Sequence, residues 1–373
     1  MTSGRLHKLI NLMKDQKLVG MAFNPGPTLT YLTGMHLHLM ERPTILLVTQ
    51  SGKAAMVLPE LEKGKLLGDG NMIRPFTYGD NPNTWMMPFK HASSWLNLDE
   101  GQVGVAPNSL RFMELEYLEK AFPNLEFVDG GQVIENLRMI KDEDEIIKMK
   151  TAAEIVQQAL LETLRTLRAG MTEKEIANEL VIQLLKAGSS PDLPFQPIVS
   201  LGENSANPHA VPTERPLKQG DVLLIDYGAS FEGYLSDITR TFTFGDVDNE
   251  LLKIAQIVLD ANRAGRKAGK PGMDVGVVDR AARSVITDAG YGPAFMHRTG
   301  HGLGMEPHEP PYVFAENDKI LAPGMTFTIE PGIYLPGKGG IRIEDDVVVR
   351  SSGLESLTDL PRELRPLEEL IGR

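Results

Sequence analysis

The sequence contains no cysteine, no long apolar run and no basic tract. The absence of cysteine among 373 residues excludes disulfides and thiolate metal ligands, which leaves His, Asp and Glu as the side chains for a transition-metal site. Apolar runs stay well short of the roughly 20 residues that a membrane-spanning helix needs, so we expect no membrane association. A formal net charge of −12 disfavours nucleic acid as a partner. We therefore expect a cytoplasmic protein.

The composition is that of a globular protein, with 42% hydrophobic and 24% charged residues, and the length favours two domains of unequal size. In the first 140 residues, strand-like and helix-like stretches alternate, which is typical of an α/β layered domain. The predicted strands lie at 19–23, 44–48, 54–58, 103–105 and 127–128, and the predicted helices at 1–14, 85–96 and 113–121. We predict an N-terminal domain over 1–140 and a catalytic domain over 141–373.

Helix-terminus signals mark the second domain. The acidic start at 142–145 opens a long amphipathic helix that should stop before Gly170. Thr172 and Glu175 have the spacing of a capping box, and Gly188 suits the end of that helix. Asp274 is expected to cap the equivalent helix further along the chain.

The second domain shows a faint internal duplication. Gly170-Met171 recurs 102 positions later as Gly272-Met273, and Ala187-Gly188 recurs as Ala289-Gly290. Each copy then runs into a Gly-led apolar strand ending in an acid, and a further acid follows. The four acids are Asp226, Asp237, Glu330 and Glu344. Two related halves can bring such acids together about a pseudo-two-fold axis, and clustered buried carboxylates need cations. The sequence therefore predicts a dinuclear metal site that activates water.

Strand parity places these acids on polar faces, because side chains alternate along a strand. Glu330 shares a face with Thr326 and Thr328, and Glu344 shares one with Arg342. Asp237 is in phase with three threonines and is expected to face Asp226 across a hairpin turn containing Gly233.

Three histidines accompany the acids. His301 lies in the Gly-rich segment 298–304, where small neighbours permit a close approach to metal. His209 and His308 are 99 residues apart, close to the repeat offset, and we expect them to flank the crevice from opposite halves. Carboxylates with one imidazole suit divalent manganese, cobalt, iron or zinc.

These residues stand in motifs that strongly resemble the pita-bread metallopeptidases, and among them the Xaa-Pro dipeptidase (prolidase) and aminopeptidase P branch. The matching segments are 221–229, 233–241, 300–302, 308–310, 329–332 and 342–344. The resemblance implies an α+β protein: a C-terminal pita-bread (creatinase/aminopeptidase) fold with pseudo-two-fold duplication, preceded by a smaller α/β, creatinase-like and ribonuclease-H-like domain.

The resemblance also implies roles for individual residues. The implied metal ligands are Asp226, Asp237, His301, Glu330 and Glu344, with Asp237 and Glu344 bridging two divalent ions, most simply Mn²⁺. His209, His308 and Arg342 would line the substrate side, and Phe195 would form an apolar wall for proline. We expect Glu330 to shuttle the proton, His308 to stabilise the oxyanion and His209 to lie near the leaving nitrogen. Arg342 would anchor either a substrate carboxylate or a metal ligand.

The leading interpretation is a hydrolase of Xaa-Pro bonds, acting on small peptides as a dipeptidase or as an aminopeptidase. The alternatives are a metal-dependent hydrolase of small amide or amidino compounds, as in the creatinase branch, and a non-catalytic binding module. About two transition ions per chain, the count of a two-metal site, would exclude the module. The resemblance further suggests a homodimer.

Overall fold

The structure, a computed structural model, describes residues 3–66 and 72–370. It divides into two compact units, Met1–Arg138 and Met139–Arg373. Within the described ranges, no helix combines the length and apolar character needed to cross a membrane.

The first unit is built on one mixed sheet with strand order β4-β3-β2-β1-β5-β6. Its strands are β1 Gly20–Phe23, β2 Ile45–Thr49, β3 Ala54–Pro59, β4 Ile73–Tyr78, β5 Gly101–Val105 and β6 Leu125–Asp129. Its helices are α1 Ser3–Asp15, α2 Pro27–Thr33, α3 Met86–Leu96, α4 Phe112–Ala121 and α5 Gly131–Arg138. The predicted strands and helices are confirmed, except that residues 1–2 of the first helix lie outside the described residues; α2 and α5 were not predicted. The missed β4 contains Arg74 and Pro75, which obscure the strand pattern.

The second unit carries helices α6 Glu143–Thr166, α7 Glu173–Ala187, α8 Asn249–Ala268 and α9 Gly276–Asp288. The strands in its first half, with one that returns from the C-terminus, form a sheet of order β17-β9-β8-β7: β7 Ile198–Leu201, β8 Asp221–Phe231, β9 Tyr234–Phe244 and β17 Arg365–Pro366. A second sheet of order β11-β10-β12-β15-β16 contains β10 Gly300–Gly302, β11 Glu309–Val313, β12 Thr326–Ile329, β15 Asp345–Arg350 and β16 Gly353–Ser356. A separate hairpin joins β13 Gly332–Leu335 to β14 Gly339–Arg342.

The predicted helix-terminus signals lie at the helix ends. Asp142 with Glu145 opens α6 and Thr172 with Glu175 opens α7, each pair forming a complete capping box. Gly188 closes α7 in the left-handed conformation. Asp274 lies at the start of α9, which begins at Gly276, and its carboxylate accepts hydrogen bonds from Arg280 at 2.6 Å and from the backbone N–H of Val277.

The duplication is visible in backbone hydrogen bonds. In the first half, Gly170 N donates to Leu217 O at 2.9 Å and Leu217 N donates to Met171 O at 2.8 Å. In the second half, Gly272 and Leu321 make the same bond at 2.9 Å, and Leu321 returns one to Met273 O at 2.8 Å. The same two backbone hydrogen bonds therefore lie before α7 in the first half and before α9 in the second. Equivalent strands consequently present their polar faces in equivalent positions.

Candidate metal centre

The first two acids lie on one face of the β8–β9 hairpin. Glu232 and Gly233 form its two-residue turn with φ of 48° and 80°, and such a turn fixes the register of the strands. Asp237 is opposite Gly228, and Asp226 is opposite Thr239. The aspartates are thus diagonal neighbours rather than a directly facing pair. Asp226 also lies in mid-strand, not at the strand end, because β8 continues to pair with β9 as far as Phe231.

The other two acids lie just beyond the β12–β15 ladder. Ile329 pairs with Asp345 at the last position, so Glu330 and Glu344 are the next residues on each strand. Pro331 follows Glu330 and has no N–H for a ladder bond, which helps end the strand there. The parity prediction is confirmed, since Phe327 and Ile329 are core residues while Thr328 Oγ1 lies 3.3 Å from Glu330 Oε1.

His301 is held between two glycines that nothing larger could replace. A Cβ at position 300 would lie 1.9 Å from Thr328 O, and one at position 302 would lie 2.2 Å from Glu309 O. His301 Nδ1 lies 3.1 Å from Gly302 O, a contact in which Nδ1 is the donor and the Nε2 lone pair stays free. Burial lowers the pKa of His301 to about 3, so the imidazole is neutral.

The free Nε2 of His301 points into the acid cluster. It lies 3.3 Å from Glu330 Oε1 and 3.9 Å from Asp237 Oδ2. One donor atom from each of Asp237, His301 and Glu344 lies within 4.8 Å of the other two, and all three residues are buried. The structure therefore brings together these three predicted ligands, with Glu330 in contact with the imidazole.

The electrostatics of this cluster are unfavourable without cations. Burial and the neighbouring carboxylates raise the pKa of Asp237 and of Glu344 well above their usual values. Burial raises the pKa of Glu330 to about 7 against the opposing charge of Arg342. The buried Oδ1 atoms of Asp226 and Asp237 have no hydrogen-bond partner. Oxygen donors without partners beside a neutral imidazole are a suitable ligand set for divalent transition ions, so the residues present fit a metal centre.

Arg342 is engaged with metal-side residues. Its guanidinium donates to Asp226 Oδ2 at 2.5 Å and Tyr334 OH at 2.9 Å, while its Nε donates to Thr239 Oγ1 at 3.0 Å. Thr239 Oγ1 in turn donates to Glu344 Oε2 at 2.7 Å. Arg342 thus contacts Asp226 directly and Glu344 through Thr239.

Sequence reasoning missed the partners that fix these ligands. Asp346 Oδ2 accepts from Ser236 Oγ at 2.6 Å and from the backbone N–H of Asp237 at 3.0 Å. Tyr334 OH bonds both Arg342 and His297 Nε2, the latter at 2.8 Å. The signal for Asp346 was its place in an otherwise apolar strand, since a buried acid requires a partner; Tyr334 has no comparable signal in the sequence.

The predicted substrate-side residues lie around the same cluster. The His308 ring is 4.0 Å from that of His301, edge to face, and burial together with Arg298 lowers the pKa of His308. His209 is exposed, and its charge contributes to that lowering. Phe195 is partly buried, with Cε1 3.4 Å from the point where a Cβ on Gly228 would lie.

Comparison with known proteins places this geometry in a family. Residues 5–140 match the Creatinase/Prolidase N-terminal domain, and residues 147–351 match Metallopeptidase family M24.

Three solved structures are similar over nearly the whole chain. The chain is 39% identical to a dipeptidase from Pyrococcus horikoshii OT3, with a TM-score of 0.92, covering 97% of this chain and 99% of that one. A recombinant prolidase from Thermococcus sibiricus is 36% identical, with a TM-score of 0.90 and coverage of 98% and 99%. An Xaa-Pro dipeptidase from Bacillus anthracis is 31% identical, with a TM-score of 0.88 and coverage of 97% and 99%. The chain therefore belongs to metallopeptidase family M24, with the pita-bread fold in its C-terminal domain and a creatinase-type domain before it.

Proposed function

We propose that this metallopeptidase is an Xaa-Pro dipeptidase that works with two divalent metal ions. The observation that carries the proposal is the buried cluster of Asp237, His301 and Glu344, completed by Glu330 at 3.3 Å from the imidazole. Similarity to a prolidase and to an Xaa-Pro dipeptidase supports the choice of proline substrates.

The five proposed ligands are Asp226, Asp237, His301, Glu330 and Glu344, with Asp237 and Glu344 shared between the ions. Mn²⁺ is the proposed metal, with Co²⁺, Zn²⁺ and Fe²⁺ as substitutes, because the donors are mainly oxygen. When bound, two such ions supply an activated water and polarise the scissile carbonyl.

Glu330 is the proposed proton carrier. Its carboxyl is an ionisable group in contact with the His301 imidazole, with Oε1 3.3 Å from Nε2, so it lies where a proton can be accepted and returned. His308, with its ring against His301, is proposed to donate to the oxyanion, and His209 to lie beside the leaving nitrogen. Phe195 is proposed as the wall against which the proline ring packs.

Arg298 supports a dipeptide as the substrate. Its guanidinium carbon lies 4.3 Å from the centre of the Tyr312 ring, and its charge acts on the pKa of both His308 and Glu330. Among the described residues, no carboxylate forms an ion pair with it. A free cation beside the reacting groups suits the carboxylate that a dipeptide carries one residue beyond the scissile bond. We therefore assign substrate-carboxylate recognition to Arg298, since Arg342 is already engaged.

The test measures the rates at which the protein hydrolyses Ala-Pro, Ala-Ala and Ala-Pro-Ala. The protein is first freed of metal with a chelator and is then reconstituted with Mn²⁺. A proline nitrogen carries no hydrogen, so a pocket shaped for its ring selects it over other residues. We expect rapid hydrolysis of Ala-Pro only, and no activity before Mn²⁺ is added. Equal rates for Ala-Pro and Ala-Ala would contradict proline selectivity.

The second candidate is an aminopeptidase of the P type, which also belongs to the branch that the motifs resemble. Faster hydrolysis of Ala-Pro-Ala than of Ala-Pro would favour it, because the tripeptide carries its carboxylate farther from the scissile bond than Arg298 is proposed to reach.

A further inference from the structure

A basic cleft lies between the C-terminal part of α8 and the strands β15 and β16. Arg263, Arg266 and Lys267 are spaced three and four residues apart, which puts them on one face of the helix. Together with Val347, Leu354 and Ser356 they line a cleft of about 240 Å³. Like charges at this spacing repel one another, and a bound anion would relieve that repulsion.

The buried acid that Arg266 approaches does not neutralise the cleft. Asp345 is buried, and its carboxylate already accepts from Arg240 at 2.8 Å, Arg362 at 2.7 Å, Asn262 at 3.1 Å and Thr358 at 2.9 Å. Arg266 approaches the same carboxylate only to 3.9 Å. Burial and the charge of Arg362 lower the pKa of Arg266, as expected where cations outnumber anions.

The other nearby acids are also occupied. Asp260 pairs with Arg263 at 2.9 Å on the exposed helix surface. Glu355 pairs with Lys150 and with Arg350, both at 2.6 Å. Asp346 bonds Ser236 on the side of the metal cluster. Within the described part of the chain, Lys267 forms no ion pair.

The cleft therefore presents three cationic side chains and a hydroxyl beside the apolar Val347 and Leu354. Ser356 Oγ accepts from Arg362 at 3.2 Å, which leaves its own proton for a ligand. Guanidinium forks, an ammonium and a hydroxyl around a small polar space match the oxygens of a phosphoryl group. We propose that this cleft binds a phosphoryl anion, either free phosphate or the phosphate of a small ester.

The site would be connected to the metal cluster through Arg240. This buried side chain donates to Asp345 and also to the backbone carbonyl of Glu344 at 2.6 Å. An anion in the cleft would therefore bind behind the segment that carries a proposed metal ligand. The inference does not depend on the peptidase substrate.

Calorimetric titration of the metal-loaded protein with inorganic phosphate, and separately with glycerol phosphate, tests the site. The test variant is Arg263→Gln/Lys267→Gln, which leaves the buried Asp345 network intact. The matched control is Arg165→Gln/Lys186→Gln, because Arg165 is likewise exposed on a helix and paired with an acid three residues before it. An unchanged thermal unfolding transition shows that each variant is folded.

We expect the wild type to bind at least one probe saturably. The affinity should fall on the order of tenfold or more in the test variant, because charge-assisted hydrogen bonds are lost, and should change less than about twofold in the control. Preference for one probe identifies free phosphate or an ester as the source. Equal affinity in the test variant and the wild type would overturn the proposal, since the anion would then bind elsewhere, as at the metal ions. Absence of saturable binding for both probes would overturn it as well.

Discussion

Glu330 combines two demands on one carboxyl group. It contacts the imidazole of His301, as a shared metal ligand would, and it is an ionisable group of the cluster, as a proton carrier must be. A ligand role needs only an oxygen donor, whereas proton transfer needs an ionisable group. Substitution by Gln separates them, because Gln keeps the size and one donor oxygen but does not titrate in this range.

We predict that Glu330→Gln retains most of its metal while kcat for Ala-Pro falls on the order of 10²–10⁴-fold. Metal content by mass spectrometry and steady-state kinetics are the measurements. Glu344→Gln is the comparison variant and should lose metal and activity together, since it is a proposed bridge. A Glu330→Gln protein with two ions and near wild-type kcat would move the shuttle role to another group, His308 first.

Arg298 gives a second prediction at this scale. Removing its charge should weaken binding of the substrate carboxylate, so Arg298→Gln should raise the KM for Ala-Pro on the order of tenfold with little change in kcat. Ala-Pro amide lacks that carboxylate and should be hydrolysed alike by variant and wild type. Arg298→Lys keeps the charge and should recover part of the loss. An unchanged preference for Ala-Pro over its amide in Arg298→Gln would refute the assignment.

The sequence predicted the clustered acids better than the residues that surround them and contact them. Asp226, Asp237, Glu330 and Glu344 are acids in otherwise apolar strands, a pattern that is costly unless it binds something. Arg298 and Tyr334 act through contacts between segments distant in sequence, as when the arginine stacks on Tyr312. No local pattern encodes such a contact, so only the folded chain reveals it.

At the scale of elements, the β8–β9 hairpin sets the spacing of two proposed ligands, Asp226 and Asp237. Its register puts Gly228 opposite Asp237 and two residues from Asp226. A Cβ there would lie 2.5 Å from Ser236 O and 2.9 Å from Pro194 Cγ. The glycine therefore keeps the ladder regular between the two aspartates and leaves room for the segment that carries Phe195.

We predict that Gly228→Ala lowers the affinity for Mn²⁺ and the activity together, because the ladder must shift between the two proposed ligands. The added methyl also overpacks a buried site, at a cost of typically 1–3 kcal/mol of unfolding free energy. Gly79→Ala is the control, as a Cβ at that position meets no atom within 4 Å. Equilibrium metal titration and denaturant unfolding report the two effects. Wild-type metal affinity in Gly228→Ala would show that the register tolerates the methyl.

Element boundaries show where local signals stop. The strand after Gly220 was expected to end in an acid, yet it runs on to Phe231 because pairing with β9 outweighs the cost of a polar residue. The equivalent acid of the second half does end its strand, where Pro331 follows. The repeat thus predicted the two strands correctly, but pairing and the proline decide where each one ends.

At the scale of the whole molecule, stability and metal binding are linked through the same acids. The raised pKa of Glu330, Asp237 and Glu344 means that folding costs free energy when these groups are ionised. When the pKa of a carboxyl is higher in the folded than in the unfolded protein, that group's contribution to the free energy of unfolding is fully present at low pH. The contribution is lost as the pH rises through the pKa of the folded state. Bound cations replace the missing protons and should remove this loss.

We therefore predict that the metal-free protein becomes less stable between pH 6 and pH 8, while the Mn²⁺-loaded protein changes much less. For Glu330 alone, a rise from 4.5 to about 7 corresponds to a loss of roughly 1 kcal/mol of unfolding free energy over that interval. Calorimetric melting at both pH values, with and without Mn²⁺, is the measurement. In Glu330→Gln the metal-free loss should shrink, because one titrating group is gone. A metal-free melting temperature that is flat or rises between pH 6 and pH 8 would contradict the linkage, since buried carboxylates that ionise without a cation cannot leave the fold unaffected.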